Sequence, residues 1–355
     1  MTIRKICAVL LAAVMLLTCA ACTPKTEPVD KNQLTLNTTT TTATTQSTTE
    51  KPNMDLNPLT GEYDITPGTD TRPVAFMIGN NAKSRPQYGI EDADMYFEGE
   101  TEAGITRIMA VFAGTDHIPA QLGPNRSART PFLQIANSID AIYSHAGGSK
   151  AAKAVIATKV VDNINALVYD GTTYWRDKTL RAQKGLEYSM MTSGKNIAER
   201  IKKLGYSTTT NRAVPFQFGA PKGDGAGEQV QIRFSKTQTI GFKYDKETNL
   251  YTKYNGTLEN GAKHVVADGD VITATNIFVI YADKYAENNK TINFKFANGG
   301  TGWAISGGKS REIRYELTGE KMTFFETDGS VAAVQTGKSY VCFVENGERG
   351  NTILK

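Results

Sequence analysis

A threonine tract sets the limits on what this chain can fold. Thr38 to Glu50 reads "TTTTTATTQSTTE", with nine threonines in its first twelve residues. Such a stretch carries too little apolar surface to offset the entropy lost on ordering it. Residues 22–56 are therefore expected to form a lipidation site followed by a disordered tether, and folded sequence to begin near "NPLTGEY", Asn57 to Tyr63. A tether of about 34 residues spans about 30 Å as a coil and about 110 Å when pulled straight. About 300 residues remain after it, more than one core usually serves.

Ahead of the tether stands "MTIRKICAVLLAAVMLLTCAACTPKTEP". Arg4 and Lys5 make a basic flank, and Ile6 to Ala21 is an apolar run of 16 residues broken by Thr18. That is the layout of a secretory signal, and it is short for a spanning helix. Its end, "LLTCAAC", resembles a bacterial lipobox. Cys22, after Ala20 and Ala21, is the expected lipidation site, with residues 1–21 as the signal peptide. Cys19 is the weaker alternative, and it also stands where a lipobox usually has leucine. Acyl chains such as palmitate bury methylenes at about 0.8 kcal/mol each. The expected location is the extracytoplasmic face of the cell membrane, lipid-anchored.

With Cys7 and Cys19 lost in the signal, Cys342 in "SYVCFVE" has no internal partner and reads as a small buried apolar residue. The formal charge of +4 falls to about +2 without Arg4 and Lys5, too mild a balance for a nucleic-acid partner. No cofactor or metal signature is present.

The folded part changes character at "VPFQFGAPKGDGAGEQV", Val214 to Val230, a Gly- and Pro-rich stretch read as a linker over 216–229. Before it, strands alternate with helices. "PVAFMIGN", "DMYFEGET", "ITRIMAVFA" and "DAIYSH" read as strands. "TPFLQIANSI" reads as a helix capped by Thr130, and "SKAAKAVIATKVV" as one starting at Ser149. "SGKNIAERIKKLGY" is a helix capped by Ser193 and stopped by Gly205. After the linker the pattern is almost wholly β, opening with the hairpin "IGFKYDKETNLYTKYNG". The expected fold is α+β: a mixed α/β N-terminal domain over 57–215, then an all-β antiparallel domain over 230–355, as a sandwich or open barrel.

These residues resemble a known group. "NPLTGE", "RPVAFMIGNNAKSRPQYGIEDADMYFEG", "GITRIMAVF", "GPNRSARTPFL" and "DAIYSHAGGS" are similar to the N-terminal domain of the YerB-like lipoproteins, a bacterial family of unknown function. "DGDVITATNIFVIYA" and the closing β run resemble that family's C-terminal domain. The resemblance implies a two-domain surface lipoprotein without established chemistry. Where the family tends to show an Ala-Pro-His-Asn stretch, this chain has "RAQKGLEYSMMTSG", which counts against an enzyme here.

Two loops are candidates for a site. "GPNRSARTPFL", Gly123 to Leu133, places Arg126, Ser127 and Arg129 just before a helix start, where unpaired N–H groups suit an anion. "SHAGGSK" places His145, Gly147, Gly148, Ser149 and Lys150 where a strand end meets a helix start. Ligands in α/β sheets settle beyond the carboxyl ends of strands. If the loops are neighbours, these residues converge on one pocket, joined by Arg176 and Arg181. A Gly-Gly turn capped by Ser149, and arginines paired with Glu98, Asp140 or helix carbonyls, are the plainer structural readings. Glu98, Glu100 and Glu102 read as a carboxylate row with solvent or arginine partners. The expected function is a tethered binding module in the cell envelope, its partner a wall polymer or an envelope protein. The rival is a hydrolase or transferase using His145 with Ser127, Ser149 or the carboxylates. A third reading is a scaffold with exposed strand edges.

Overall fold

A computed structural model describes residues 53–355 except 288, 289 and 319. Cys22, the signal segment and the threonine-rich tract lie outside the described residues. Among those described, no helix is long and apolar enough to cross a membrane. Strand pairing among the described residues includes positions before Asn57, because Asp55–Leu56 pairs with Tyr63–Ile65.

The principal elements before the glycine-rich stretch are β1 (Val74–Gly79), β2 (Met95–Glu102), β3 (Ile105–Phe112), α1 (Thr130–Ser138), β4 (Ile142–His145), α2 (Lys150–Ala157), β5 (Asn163–Asn165), α3 (Lys178–Lys184) and α4 (Gly194–Leu204). After it come β6 (Gln229–Ser235), β7 (Gln238–Asp245), β8 (Leu250–Asn255), β9 (Asn276–Ala282), β10 (Gly300–Ser306), β11 (Lys309–Thr318) and β12 (Ser339–Glu345).

One thirteen-stranded sheet carries strands from both halves, in the order β11-β10-β9-β12-β2-β3-β1-β4-β5 along its main path. The join is parallel: β12 lies between β9 and β2, and runs alongside both. The C-terminal half is thus not wholly antiparallel, and it shares a sheet with the N-terminal half. The physical reason is visible in "NIFVIYA" and "SYVCFVE". Both are nearly continuous apolar runs, buried along almost their whole length, as central parallel strands require. Gly99 fits the same join, because a Cβ there would lie 1.9 Å from the Phe343 ring. The stretch read as a linker also takes part, with Gln217–Phe218 pairing Ala333–Val334 and Gly225–Ala226 pairing Lys309–Ser310.

The sheet is covered on both faces. One face packs Ala75, Met77, Phe97 and Met109 against Phe132 and Leu133 of α1 and Ala152 of α2. The other packs Phe76, Ile108 and Tyr340 against Ile197 and Ile201 of α4, and against a second, six-stranded sheet containing β6, β7 and β8. The helix ends follow local chemistry. Ser149 accepts from Ala152 N and Ser193 from Asn196 N, and Gly205 adopts φ +68° at the end of α4. Thr130 is the first helical residue of α1, and its cap position is held by Arg129 without a side-chain bond. The expected hairpin is β7–β8, with Tyr244 opposite Tyr251.

Candidate functional site

The two candidate loops lie side by side. Ala128 N donates to Gly147 O at 2.9 Å, Ala146 N to Arg126 O at 2.9 Å, and Ser149 N to Ala128 O at 3.3 Å. Arg126 N donates to Met77 O of β1 at 2.7 Å, which pins the arginine loop to the sheet. With this backbone fixed, Arg126, Ser127 and Arg129 line one cleft of about 410 Å³ together with Glu102, Arg107, Asn125, Arg176, Leu186 and Glu187. The cleft sits by Gly79 and His145, at the carboxyl ends of β1 and β4, where α/β sheets place ligands.

The arginines differ in how firmly they are held. Arg129 bonds Glu102 through Nε and one terminal nitrogen, both at 2.7 Å, and a second terminal nitrogen meets Ala128 O at 2.8 Å. Arg107 bonds the same carboxylate at 2.7 Å and also donates to Ser127 O. Burial alone would raise the Glu102 carboxyl, but its bonds to the two guanidiniums outweigh that and hold it below the usual carboxylate range. Burial, and then the neighbouring Arg129 charge, pushes Arg107 down to about 9. Arg126 and Arg176 pair with more exposed carboxylates, Glu187 and the 37% exposed Asp170. Arg126 meets Glu187 Oε2 from two nitrogens at 3.2 Å each, and Glu187 is itself 73% exposed. Arg176 bonds Asp170 at 2.9 Å and Leu186 O at 2.7 Å. Arg181 lies exposed on α3, outside the cleft lining.

The glycine turn does not open into the cleft. Gly147 N donates to Asn165 Oδ1 at 3.0 Å, Ser149 caps α2, and Lys150 is exposed beyond it. Gly147 has φ +70°, and Gly148 faces Ala128, so both glycines serve the turn itself. His145 is 2% exposed, with Nδ1 at 2.7 Å from Gly147 O and Nε2 at 3.2 Å from Asn163 Oδ1. Its burial lowers its proton affinity. Ser144 points to the other face, bonding Asn125 and Tyr174, and Ser149 is consumed as a cap. The histidine–hydroxyl pair needed by the hydrolase reading is therefore not assembled at His145. The start of α1 is also buried rather than open: Thr130 and Pro131 are shielded, and Thr130 Oγ1 bonds Glu287.

The carboxylate row separates into three settings. Glu98 is fully buried, Glu100 bonds Lys284 at 2.8 Å, and Glu102 holds the two arginines. Asp64, Asp94 and His117 also come together. Asp94 already accepts from Asn57 Nδ2 and Ala113 N at 2.7 Å each. Its hydrogen bond to His117 raises the proton affinity of that ring, so the cluster acts as a histidine–carboxylate clamp. A second hollow of about 440 Å³ lies by Val74 and Ile142, at the opposite strand ends, but its Arg72 is committed to Asp140 and Asp162.

Arg107, Asn125 and Glu187 line the cleft yet were not singled out in the sequence. Arg107 had a signal, as the one charge within a largely apolar strand, "ITRIMAVF". Glu187 had none of its own. It lies in "RAQKGLEYSMMTSG", the segment that brings Leu186 and Glu187 to the cleft wall.

Fold and cleft together define a class: a two-part α+β protein, mostly strand, with an arginine-lined cleft at the carboxyl ends of its N-terminal strands. Residues 59–207 match the family described as "Protein of unknown function (DUF3048) N-terminal domain", and residues 230–341 match its C-terminal domain. The chain belongs to this YerB-like family. It is 27% identical over 287 residues to "Putative lipoprotein YerB" of Bacillus subtilis (strain 168), covering 79% of this chain and 81% of that protein. The crystal structure of the YerB protein from Bacillus subtilis superposes with a TM-score of 0.72 at 26% identity, over 82% of this chain and 96% of the other.

Proposed function

We propose that this protein is a lipid-tethered accessory module of the bacterial cell envelope, whose cleft binds an anionic group on a wall polymer or an envelope protein. The observation that carries this reading is the charge of the cleft lining, four guanidiniums against two glutamates. Arginine's planar fork suits carboxylate and phosphate oxygens. Arg107 and Arg129 build the floor by locking onto Glu102, while Arg126 and Arg176, each 15% exposed at the side chain, are left to exchange partners. The lipobox-like start and the threonine tract support a body working some tens of ångströms from the bilayer. Similarity to a protein described as a lipoprotein points the same way.

The test is binding of inorganic phosphate and of solubilised wall fragments to the full chain, compared with an Arg126→Ala, Arg176→Ala double variant. Loss of the charge-assisted bonds, at about 1.5–3 kcal/mol apiece, should weaken binding at least tenfold. Equal binding by the two proteins, with both folded by circular dichroism, overturns the reading.

A further inference from the structure

Building on the anion-binding reading, we infer that the cleft takes an acidic peptide, and that Leu186–Glu187–Tyr188 is its built-in occupant. What Arg126 and Arg176 hold is a piece of peptide rather than a lone carboxylate. Arg126 donates to Glu187 O at 2.7 Å as well as to its carboxylate, and Arg176 donates to Leu186 O at 2.7 Å. The Arg126 guanidinium also lies 4.8 Å from the centre of the Tyr188 ring. Two successive carbonyls, a carboxylate and a ring make a pattern that a phosphate ion cannot fill. The cleft wall adds an acceptor. Asn125 is 2% exposed and spends its Nδ2 on Ser144, while its Oδ1 has no partner. Buried polar atoms are normally paired, and a peptide N–H is the donor that would complete this one. Leu167 and Leu186, 54% and 52% exposed, give an apolar rim for a neighbouring side chain.

For a peptide to enter, this turn has to give way. It is a single three-residue turn that starts after Gly185, whose φ is +100° and whose missing Cβ would meet nothing within 4 Å. Its carboxylate is the weakly held part: the contacts from Arg126, at 3.2 Å, are longer than the 2.7–2.9 Å of a firm charge-assisted bond, while the bonds to the two carbonyls are 2.7 Å. An incoming peptide must displace this turn, so its apparent affinity is reduced by the fraction of time the turn is in place.

The experiment titrates the full chain and its Glu187→Gln variant with fluorescently labelled acetyl-Leu-Glu-Tyr-amide, with the Leu-Gln-Tyr analogue, and with inorganic phosphate as competitor. An exposed ion pair of at most about 1 kcal/mol corresponds to roughly fivefold. The acidic peptide should bind, the Gln analogue should bind at least tenfold more weakly, and Glu187→Gln should tighten binding of the acidic peptide roughly two- to fivefold. Phosphate binding without peptide binding, or equal affinity of wild type and Glu187→Gln for the peptide, overturns the inference and leaves the anion site standing. Failure of both proteins to bind peptide or phosphate overturns the anion reading as well.

Discussion

Strand β2 carries two carboxylates four residues apart that meet cations in opposite settings. Glu98 is wholly buried. Its Oε1 accepts from Asn80 at 2.7 Å and Thr106 at 2.6 Å, and its Oε2 faces the Tyr340 hydroxyl and Lys253 Nζ. Lys253 also donates to His264 Nδ1 at 3.0 Å. An ammonium can only donate, so Nδ1 is the bare nitrogen and Nε2–H faces Gln87 Oε1 at 2.8 Å. These contacts join residues from before the glycine-rich stretch to residues from after it, each at most 2% exposed. Glu102, at the other end of the strand, is 24% exposed at its side chain and holds Arg107 and Arg129 at the cleft floor. The lesson is that charge pairing alone does not mark a site. The seam spends its charges on joining two halves of a fold, whereas the cleft leaves two of its four arginines with partners that solvent or a ligand can replace.

The largest effect should come from the seam. Lys253→Met removes a buried cation and strands Glu98 in a dry interior. Breaking one partner of such a pair costs about 3–5 kcal/mol. Urea unfolding should show this loss, and a Glu98→Gln, Lys253→Met double variant should recover part of it. A loss below about 1 kcal/mol for the single variant would show that the seam is wet, and the contrast with the cleft would fail.

A smaller effect follows from the seam's histidine. Burial holds the proton affinity of His264 well below that of an ordinary histidine, with Lys253 and Arg85 adding to the shift, and burial lowers His145 too. The folded state therefore excludes protons that the unfolded chain binds once the pH falls below about 6.5. The contribution of these two histidines to stability should be intact above that value and decline beneath it, by at most about 2 kcal/mol per histidine by pH 5. His264→Gln, which can still accept from Lys253 and donate to Gln87, should flatten the acid limb of a pH series of unfolding midpoints. An unchanged acid limb would place the sensitivity elsewhere.

Much of the local structure was legible in the sequence. Ser149 and Ser193 as caps, Gly205 as a stop, and the β7–β8 hairpin are set by residues a few positions apart. The adjacency of the two loops could also be anticipated, because both follow strand ends of an α/β pattern. The insertion of β12 between β9 and β2 could not. Nothing within "SYVCFVE" distinguishes a central parallel strand from one in an antiparallel sandwich core, since the pairing depends on β9, 63 residues away, and on β2, more than 200 residues away. Partnering at the cleft was hidden for the same reason. Arg126 lies 61 residues from Glu187, and Glu98, read as part of one row with Glu102, turned out to serve a different network. His145 is a ligand candidate in the sequence only through its place where a strand end meets a helix start. Here Asn163 of β5 and Gly147 O take both of its nitrogens.

The smallest expected stability change sharpens the comparison most. Arg126 shares only an exposed partner, Glu187, and exposed ion pairs contribute about 0–1 kcal/mol. Arg126→Ala should therefore shift the unfolding free energy by less than about 1 kcal/mol, some of it from the lost stacking on Tyr188. Arg129→Ala, which releases the buried side of Glu102, should cost about 2 kcal/mol by the same measurement. If the arginines are divided as the geometry divides them, the first variant loses ligand and keeps its fold, while the second loses stability whether or not a ligand is present. Should Arg126→Ala prove the more destabilising of the two, Arg126 is a structural clamp on the turn at Leu186–Tyr188. The cleft would then resemble the seam, a place where guanidinium and carboxylate hold the fold closed rather than wait for a partner.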